Sequence, residues 1–387
     1  MSLTINNTPV AYASIHGDLV YTVYNAANVG IAGYKYVIDV YVNGTMVARS
    51  KSFPNPVNLN GIFNIAPIVR NYIATQLSPT ASALRCQELL SGSFFLDVVV
   101  KVGEEYTGTL YTNLLVDSSR RYYNHYNGRL LANQTLLSSF TDLVASNRPY
   151  QNNVMLTDGF CFLSYFPTTA AAVTIQVKSY SLSTGLIASN STTITPTGAN
   201  YLQILNVAPV GINSAFGGMI AAGVDYYTVQ VGTSTYRFNV TCEGKFTPYI
   251  LHFLNQFGGF ESLILSKISK TNVEVTRSQF SQLPYRVDAY GVVSWHNSNK
   301  VLNDIQTSFA TGYIEKMVLN TDVLTDAQFK WLRELILSPI VYLEMSGYLV
   351  PVSIADSNYD QKKFINNKLT NLTVNIQFGE QYNSQYR

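Results

Sequence analysis

Charge is scarce in this sequence. Asp, Glu, Lys and Arg make up 12% of its 387 residues, against about 25% in typical soluble domains. The net charge at pH 7 is +2, so neither nucleic acid nor an anionic membrane is expected as a partner. Polarity comes instead from uncharged side chains, and aromatic residues include 28 Tyr and 19 Phe. Such a composition is typical of surfaces that neighbouring molecules cover.

Cysteine is also scarce. Cys86, Cys161 and Cys242 lie far apart in the chain, and their odd number excludes a complete disulfide framework, so free buried thiols are expected. None of them has a histidine or a second cysteine at metal-ligand spacing, and we expect neither a metal nor another cofactor. Long apolar runs are missing too, since none approaches the roughly 18 residues of a membrane helix.

Groups that could perform catalysis are few. The histidines are His16, His125, His252 and His296, and none has a carboxylate or cysteine at ligand spacing, so each is expected to be structural or solvent-facing. Asp356 and Asp360 come closest to the paired acids of a glycosidase, but aspartates are common wherever a strand ends in a turn. No Gly-x-Ser-x-Gly elbow is present. The sequence predicts no catalytic residue, and the protein is expected not to be an enzyme.

A short phrase occurs twice. Residues 63–68 read FNIAPI and residues 205–210 read LNVAPV. In both copies an alternating strand pair with a tight turn precedes the phrase, and another hairpin follows it. The turn of the first copy is Asn43-Gly44, a strong hairpin signal because both central positions need φ > 0. Repetition of this kind indicates two related structural modules. Because each has many short strands within about a hundred residues, we predict two tandem immunoglobulin- or fibronectin-like β-sandwiches that superpose with the two phrases in equivalent places.

The predicted organisation has four segments: β-sandwich module 1 at 1–117, a connector with a short helix at 118–153, β-sandwich module 2 at 154–245, and an α+β C-terminal domain at 246–387. Residues 67–77 predict a short helix in module 1. The glycines that follow the second phrase predict that the matching helix is shortened or lost.

One helix is predicted in the C-terminal domain. Thr325 and Gln328 form a capping-box pattern at its start. Its apolar stripe is expected to pack on the C-terminal sheet and consists of Phe329, Leu332, Leu335 and Ile336.

The connector contains basic residues interleaved with tyrosines. Arginine and tyrosine are common anchors of protein interfaces, so the candidate subunit interface consists of Arg120, Arg121, Tyr122, Tyr123, Tyr126 and Arg129. Stacking on nucleic acid is the alternative for such a pattern, and the nearly neutral chain argues against it.

Two stretches carry a resemblance to a known family. Residues 249–263 contain the pattern FLNQFGGFES, and residues 324–339 read LTDAQFKWLRELILSP before the PVSIADS run at 351–357. With VNGT and FNIAPIVRNY in module 1, these runs resemble structural proteins of tailed phages and prophages of Bacteroidetes. The resemblance implies a virion component, assembled in the host cytoplasm, whose partners are copies of itself and other virion proteins.

Three functions are weighed at this point. The leading one is a non-enzymatic building block of a phage tail, neck or baseplate that assembles as a ring or collar. The second is an adhesin that grips a host surface glycan through exposed aromatic side chains, for which the candidates are Trp295 and the tyrosine pairs Tyr122-Tyr123 and Tyr226-Tyr227. The third and weakest is an enzyme that degrades surface polysaccharide. An open loop tip at Trp295 would favour the adhesin, and burial between subunits would favour assembly.

Overall fold

The computed structural model describes residues 3–10, 13–79, 83–125, 144–241, 246–296, 302, 305–355 and 371–385. The chain is mainly β, with 53% strand and 8% helix in several sheets. This confirms the predicted class at the level of a mainly β, sandwich-like protein. The short helix predicted in the connector, around 136–144, lies outside the described residues except for its last residue, Val144, which makes an isolated bridge to Tyr165; Tyr126, Arg129, Cys242, Asp356 and Asp360 also lie outside them.

Two compact units make up the chain. The first comprises Met1–Glu243, Leu251–Ile264 and Lys330–Pro339, and the second comprises Gly244–Ile250, Leu265–Phe329 and Ile340–Arg387. The first unit therefore holds both predicted sandwich modules together with two stretches that the sequence analysis assigned to the C-terminal domain. The predicted segment boundaries themselves stay predictions.

The first module spans residues 4–123 of the first unit. Its strands are β1 (Thr4–Asn7), β2 (Val20–Tyr24), β3 (Lys35–Val42), β4 (Thr45–Ser52), β5 (Gly61–Asn64), β6 (Arg85–Leu89), β7 (Phe95–Tyr106) and β8 (Thr109–Tyr123). Seven of them form two sheets with the strand orders β1-β2-β5 and β4-β3-β7-β8. Buried side chains of both sheets, among them Tyr21, Phe63, Ile38 and Val100, share one core, as alternating strands that face each other require.

The first module's helical segment is short. Helix α1 (Ala66–Val69) is followed by one 3-10 turn (Arg70–Tyr72). Pro67 lies in its first turn, where a missing backbone N–H does no harm. The segment ends at Ile73, which is extended, so it stops well short of the predicted end at residue 77.

The second module spans residues 151–241. Its strands are β9 (Gln151–Met155), β10 (Phe162–Tyr165), β11 (Val173–Ser181), β12 (Gly185–Ile194), β13 (Leu202–Asn206), β14 (Tyr226–Val231) and β15 (Ser234–Thr241), with helix α2 (Pro209–Phe216) after β13. The sheet orders are β10-β13-β6 and β12-β11-β14-β15-β9. Strand β6 comes from the sequence of the first module, yet it pairs with β13 of the second.

Helix α2 corrects the expectation that the second module's helix is shortened or lost. It has eight residues, against four in α1. The glycines permit the helix: Gly217 ends it in the left-handed conformation with φ 67°, which glycine adopts without a steric penalty. Gly211 lies so close to Asn206 that a Cβ would overlap the Asn206 carbonyl oxygen. Gly211 therefore lets α2 lie close to β13, and Gly217 ends the helix.

The two repeated phrases occupy equivalent places. Asn64 ends β5, and its side-chain oxygen accepts hydrogen bonds from the N–H groups of Leu19 (3.1 Å) and Ala66 (3.1 Å). Asn206 ends β13, and its oxygen accepts from Cys161 (3.0 Å) and Ala208 (3.1 Å). Each asparagine thus caps the turn into its helix and holds the start of the neighbouring strand.

Strand order repeats as well. The large sheets run β4-β3-β7-β8 and β12-β11-β14-β15, with each strand in the same chain position relative to its phrase. The register repeats too, since Val20 lies opposite Asn64 and Phe162 opposite Asn206. Beyond the last strand, Ser14 makes a parallel bridge to Tyr123, where the second module has the parallel strand β9.

A hairpin and part of a helix complete the first unit. Strands β16 (Tyr249–Leu254) and β17 (Phe260–Leu265) are hydrogen-bonded neighbours. Helix α3 (Asp326–Leu337) begins at the predicted capping box, where the Gln328 side chain accepts from the Thr325 N–H at 3.0 Å and the Thr325 hydroxyl accepts from the Gln328 N–H at 3.3 Å. The predicted stripe is buried at Phe329, Leu332 and Leu335. Within the first unit, Trp331 packs against Phe253 with ring centroids 5.7 Å apart.

The second unit is a long sheet with a small hairpin. Its remaining strands are β18 (Lys270–Ser281), β19 (Arg286–Val287), β20 (Val293–Ser294), β21 (Gln306–Asn320), β22 (Val341–Met345), β23 (Tyr348–Ile354) and β24 (Thr373–Gln385). Five of these strands follow the order β22-β23-β24-β21-β18. Strands β19 and β20 pair only with each other among the described residues.

Candidate functional site

The predicted subunit interface is in large part the end of a strand. Residues 118–123 continue β8 and pair with β7, with Tyr123 opposite Phe95 and Tyr122 opposite Leu96. Both tyrosines are 0% exposed. Their side chains are therefore buried within the first unit, and the assignment of this segment as a subunit interface stays a prediction. The signal that was missed is the continuation of strand alternation through the basic residues.

The two arginines of this strand are half-buried and paired. Arg120 makes two hydrogen bonds with the carboxylate of Asp117, at 2.6 and 3.1 Å. Arg121 makes two with Asp97, at 2.9 and 3.2 Å, and its guanidinium lies 3.9 Å from the centre of the Phe95 ring. Their charges are thus largely satisfied inside the module.

A hydroxyl network lies behind these ion pairs. The Tyr21 hydroxyl is 3.0 Å from both the Tyr122 hydroxyl and the Asp117 carboxylate. Burial raises the pKa of Tyr122 to about 12 and also raises the pKa of Tyr21. Both phenols therefore remain protonated near neutral pH and act as structural hydrogen-bonding groups.

The histidines are spread over the fold. The Nε2 atom of His16 lies 2.7 Å from the Asn124 side-chain oxygen, and burial lowers its pKa. His252 is fully buried, with Nδ1 2.8 Å from the Ser262 hydroxyl. His125 is also buried, whereas His296 is exposed. Within the described part of the chain, no cluster of three or more His, Cys, Asp or Glu side chains could hold a metal ion.

A pair of buried carboxylates is the grouping that sequence reasoning missed. Glu261 accepts hydrogen bonds from the Trp331 indole N–H and from the Asn255 amide at 2.8 Å. Glu334 accepts from the Asn147 amide at 2.7 Å and from the Gln256 backbone N–H at 3.1 Å. Sequence reasoning missed the pair because Glu261 lies 70 positions from Trp331, and Glu334 lies 187 positions from Asn147 and 78 from Gln256.

Burial decides what this pair can do. Glu261 is 0% and Glu334 7% exposed. Burial, and then the nearby charge of Glu261, raise the pKa of Glu334 to about 7. A shifted carboxyl is a frequent property of catalytic acids, but a glycosidase needs both acids to face a sugar. Here both carboxylates accept hydrogen bonds from donors in α3, the 145–148 segment and the turn between β16 and β17. The pair therefore holds these three elements together.

The hairpin of β16 and β17 is in turn bound to the second module. The Phe260 N–H donates to the Ser164 hydroxyl at 3.0 Å, and the Phe162 N–H donates to the Ser262 hydroxyl at 2.8 Å. All four residues of β10 and all five of β13 are buried. The small sheet of the second module is therefore covered on both faces.

The second unit presents the opposite situation. All twelve residues of β18 are exposed, although consecutive side chains point to opposite faces of a sheet. Neither face of this strand is therefore covered by the described residues. It also ends the sheet order, so no strand of the described ranges pairs with its outer edge. We call the antiparallel sheet of β18, β21 and β24 the arm.

Apolar side chains stand on the exposed arm. Val273 is 56%, Val275 42% and Phe280 47% exposed. Val275 lies opposite Tyr313 of β21, which is 37% exposed. A strand of twelve residues is about 40 Å long, so this apolar surface is extended. Long, unprotected edge strands are templates for pairing with another chain.

The hairpin between β18 and β21 carries two strongly exposed aromatic side chains. Tyr290 is 92% and Trp295 56% exposed. The Trp295 ring packs edge to face on Tyr285, with centroids 5.4 Å apart. Trp295 therefore lies on open surface, which is the placement that favours the glycan-binding alternative.

Comparison with known proteins adds no identification, since no family model matches the sequence and none of the curated proteins matches it. No described helix has the length and apolarity to cross a membrane.

Proposed function

We propose that the chain is a non-enzymatic structural subunit that self-assembles through the arm, as a ring or collar in the tail, neck or baseplate of a bacteriophage virion. The observation that carries the proposal is β18, with all twelve residues exposed and with Val273, Val275 and Phe280 on its surface. Burial of apolar surface is favourable by about 25 cal/mol per Å². Covering the arm with further copies would recover this energy.

Composition and sequence resemblance support the same proposal. Charged residues are 12% of the chain, and charge is depleted at the centres of interfaces. The FLNQFGGFES and LTDAQF runs resemble structural proteins of tailed phages. The virion, assembled in the host cytoplasm, is accordingly the proposed location, and other virion proteins are proposed as additional partners.

We further propose that the two modules are sandwiches of the immunoglobulin or fibronectin type. The strand orders β1-β2-β5 and β4-β3-β7-β8 agree with the three-plus-four arrangement of fibronectin type III repeats. Superposition of an experimental structure on such repeats would test the layout.

Self-association through the arm can be tested with two matched double variants. Val273→Lys/Val275→Lys adds charge to one face of β18 and replaces only exposed side chains. Leu186→Lys/Ile187→Lys adds the same charge to β12, where the two side chains are 55% and 49% exposed. In mass photometry, we expect the β18 variant to remain monomeric and the β12 variant to assemble like the unmodified chain. In a structure of the assembly, each contact should bury more than about 1,000 Å². Equal assembly of both variants would contradict the proposal.

A host-glycan adhesin is the second candidate, and the exposed Trp295 and Tyr290 favour it. Aromatic faces stack on sugar rings and supply apolar contact area. Under this alternative, Trp295→Ala abolishes binding of the monomeric chain to host polysaccharide, while Tyr348→Ala, which removes another exposed aromatic, does not. Under the leading proposal neither variant changes glycan binding.

A further inference from the structure

The two modules differ at one edge of their small sheets. In the second module β13 has a neighbour on each side, β10 and β6. In the first module the equivalent strand β5 has β2 on one side and, among the described residues, no strand on the other. The two strands carry similar sequences, Ile62-Phe63-Asn64 and Ile204-Leu205-Asn206.

Backbone geometry shows where the open edge points. The Ile65 N–H donates to the Leu19 carbonyl at 3.0 Å, and Val20 lies opposite Asn64. Because hydrogen-bonded pairs alternate along antiparallel strands, the N–H groups of Ile62 and Asn64 point away from β2.

The second module shows what fills this edge. There the Val207 N–H donates to the Cys161 carbonyl, so the N–H groups of Ile204 and Asn206 point away from β10 in the same way. The Asn206 N–H donates to the Leu84 carbonyl at 2.8 Å. Strand β6 follows at once and pairs antiparallel with β13.

A groove lies beside the open edge. It has a volume of about 230 Å³ and runs between β4 and β5, with Ser50, Ser52, Ile62 and Asn64 in its lining. Ile62 is 44% exposed, whereas Ile204 is 0% exposed. Phe53 and Val57, in the segment that leads into β5, are 65% and 90% exposed. The first module thus combines unpaired strand edge and uncovered apolar side chains.

We propose that the edge of β5 is an acceptor site for one extended strand of a partner protein, which pairs antiparallel as β6 does on β13. The occupant is a single strand because β6, at the equivalent place, is one strand of five residues. It carries two apolar side chains separated by two polar ones, as Cys86 and Leu89 are buried while Gln87 and Glu88 are half-exposed. Main-chain hydrogen bonds supply the affinity in such strand addition, and side-chain pockets supply the specificity. The site is separate from the arm and does not depend on assembly through it.

The probe for this site is a synthetic peptide with the sequence of residues 83–91, kept under reducing conditions. We expect it to bind the full chain in fluorescence anisotropy and to slow hydrogen exchange at the amides of Ile62 and Asn64. Ile62→Asp should weaken binding at least about tenfold, while Ile187→Asp, an equal change on the exposed face of β12, should not. Because the peptide could instead displace β6 from β13, insensitivity to Ile62→Asp would overturn the proposal.

Backbone methylation of the peptide tests the pairing itself. Alternate N–H groups of an added strand face its neighbour, so N-methylation at one of the two positions Gln87 and Glu88 should abolish binding and at the other should leave it unchanged. Equal binding by both methylated peptides would overturn strand addition. A third outcome is that the amides of Ile62 and Asn64 are protected from hydrogen exchange without peptide, and only at concentrations where the chain self-associates. This outcome would assign the edge to a second copy of the chain and would contradict the proposed partner protein.

Discussion

The two modules share a strand order and a repeated phrase, but their small sheets have different surroundings. In the second module β10 and β13 are buried on both faces, with β6 on one edge and the β16–β17 hairpin bound through Ser164 and Ser262. In the first module the outer residues Ile62 and Asn64 of β5 are exposed. The same strand order thus occurs in a module whose small sheet is enclosed by its own chain and in a module where, in the described part of the chain, no strand pairs with the outer edge of β5.

The difference teaches that neighbouring elements, and not the module's own sequence, decide whether such a strand is covered. Ile62-Phe63-Asn64 and Ile204-Leu205-Asn206 are nearly alike. Equivalent side chains should therefore contribute unequally to stability, and the inequality can be measured residue by residue.

The largest inequality is expected at the paired isoleucines. Ile204→Ala removes a fully buried side chain and should lower the free energy of unfolding by about 3–4 kcal/mol. Ile62→Ala removes one that is 44% exposed and should cost under about 1 kcal/mol. Urea denaturation of the full chain measures both. Equal losses would show that the two strands are covered alike.

The asparagines of the phrase should differ next. Asn206 is 0% exposed, so Asn206→Ala leaves the buried N–H groups of Cys161 and Ala208 without their acceptor and should cost about 2–3 kcal/mol. Asn64 makes the equivalent bonds but is exposed, and Asn64→Ala should cost about 1 kcal/mol. The same denaturation series gives the comparison, and a larger loss at Asn64 would refute it.

The helices after the phrases offer a third contrast. Gly211 of α2 lies against the Asn206 carbonyl, whereas Val69 occupies the matching position of α1. Gly211→Ala should therefore destabilise the chain by about 2 kcal/mol through overpacking. Gly218→Ala is a poor control because that glycine has φ 84°. Ser214→Ala, on the same helix, should cost less than about 1 kcal/mol, and a neutral Gly211→Ala would contradict the close approach.

The last prediction concerns how stability depends on pH through Glu334, which joins α3 to Asn147 and Gln256. Glu334 has a pKa of about 7 in the folded chain, above its ordinary value, so the folded state holds a proton that the unfolded chain releases between about pH 4.5 and 7. Stability from this group is present below that window and is lost as the pH rises through it. Glu334→Gln should flatten this fall in the free energy of unfolding, as measured by denaturation at pH 5 and pH 8. An unchanged fall would exclude Glu334 as its source.

Much of the fold could be predicted from local pattern. The asparagine–glycine turn at Asn43-Gly44 and the capping box at Thr325 depend on neighbouring residues alone, and both are present with the expected φ angles and hydrogen bonds. The strand at 118–123 was not foreseen because its basic residues hid the alternation of β8. The length of α2 was underestimated because glycines usually indicate the end of a helix. Gly211 is instead inside α2, where its missing side chain makes room for the Asn206 carbonyl oxygen.

The sites were less accessible to sequence reasoning. Pairing of β6 with β13 joins residues more than a hundred positions apart, and the Glu261–Trp331 contact spans 70 positions. Exposure of β18 could not be foreseen either, because Val273 and Val275 alternate with polar residues as in any half-buried strand. Which face is covered depends on the rest of the fold.

Hydrogen exchange of the full chain, followed from low to high protein concentration, tests the central claim most directly. If the chain functions by covering its arm with further copies, the outer amides of β18 should become protected as mass photometry detects assembly, while those of Ile62 and Asn64 should stay open until a partner strand is added. A chain that remains monomeric at about 100 μM, with β18 exchanging freely, would contradict self-assembly through the arm.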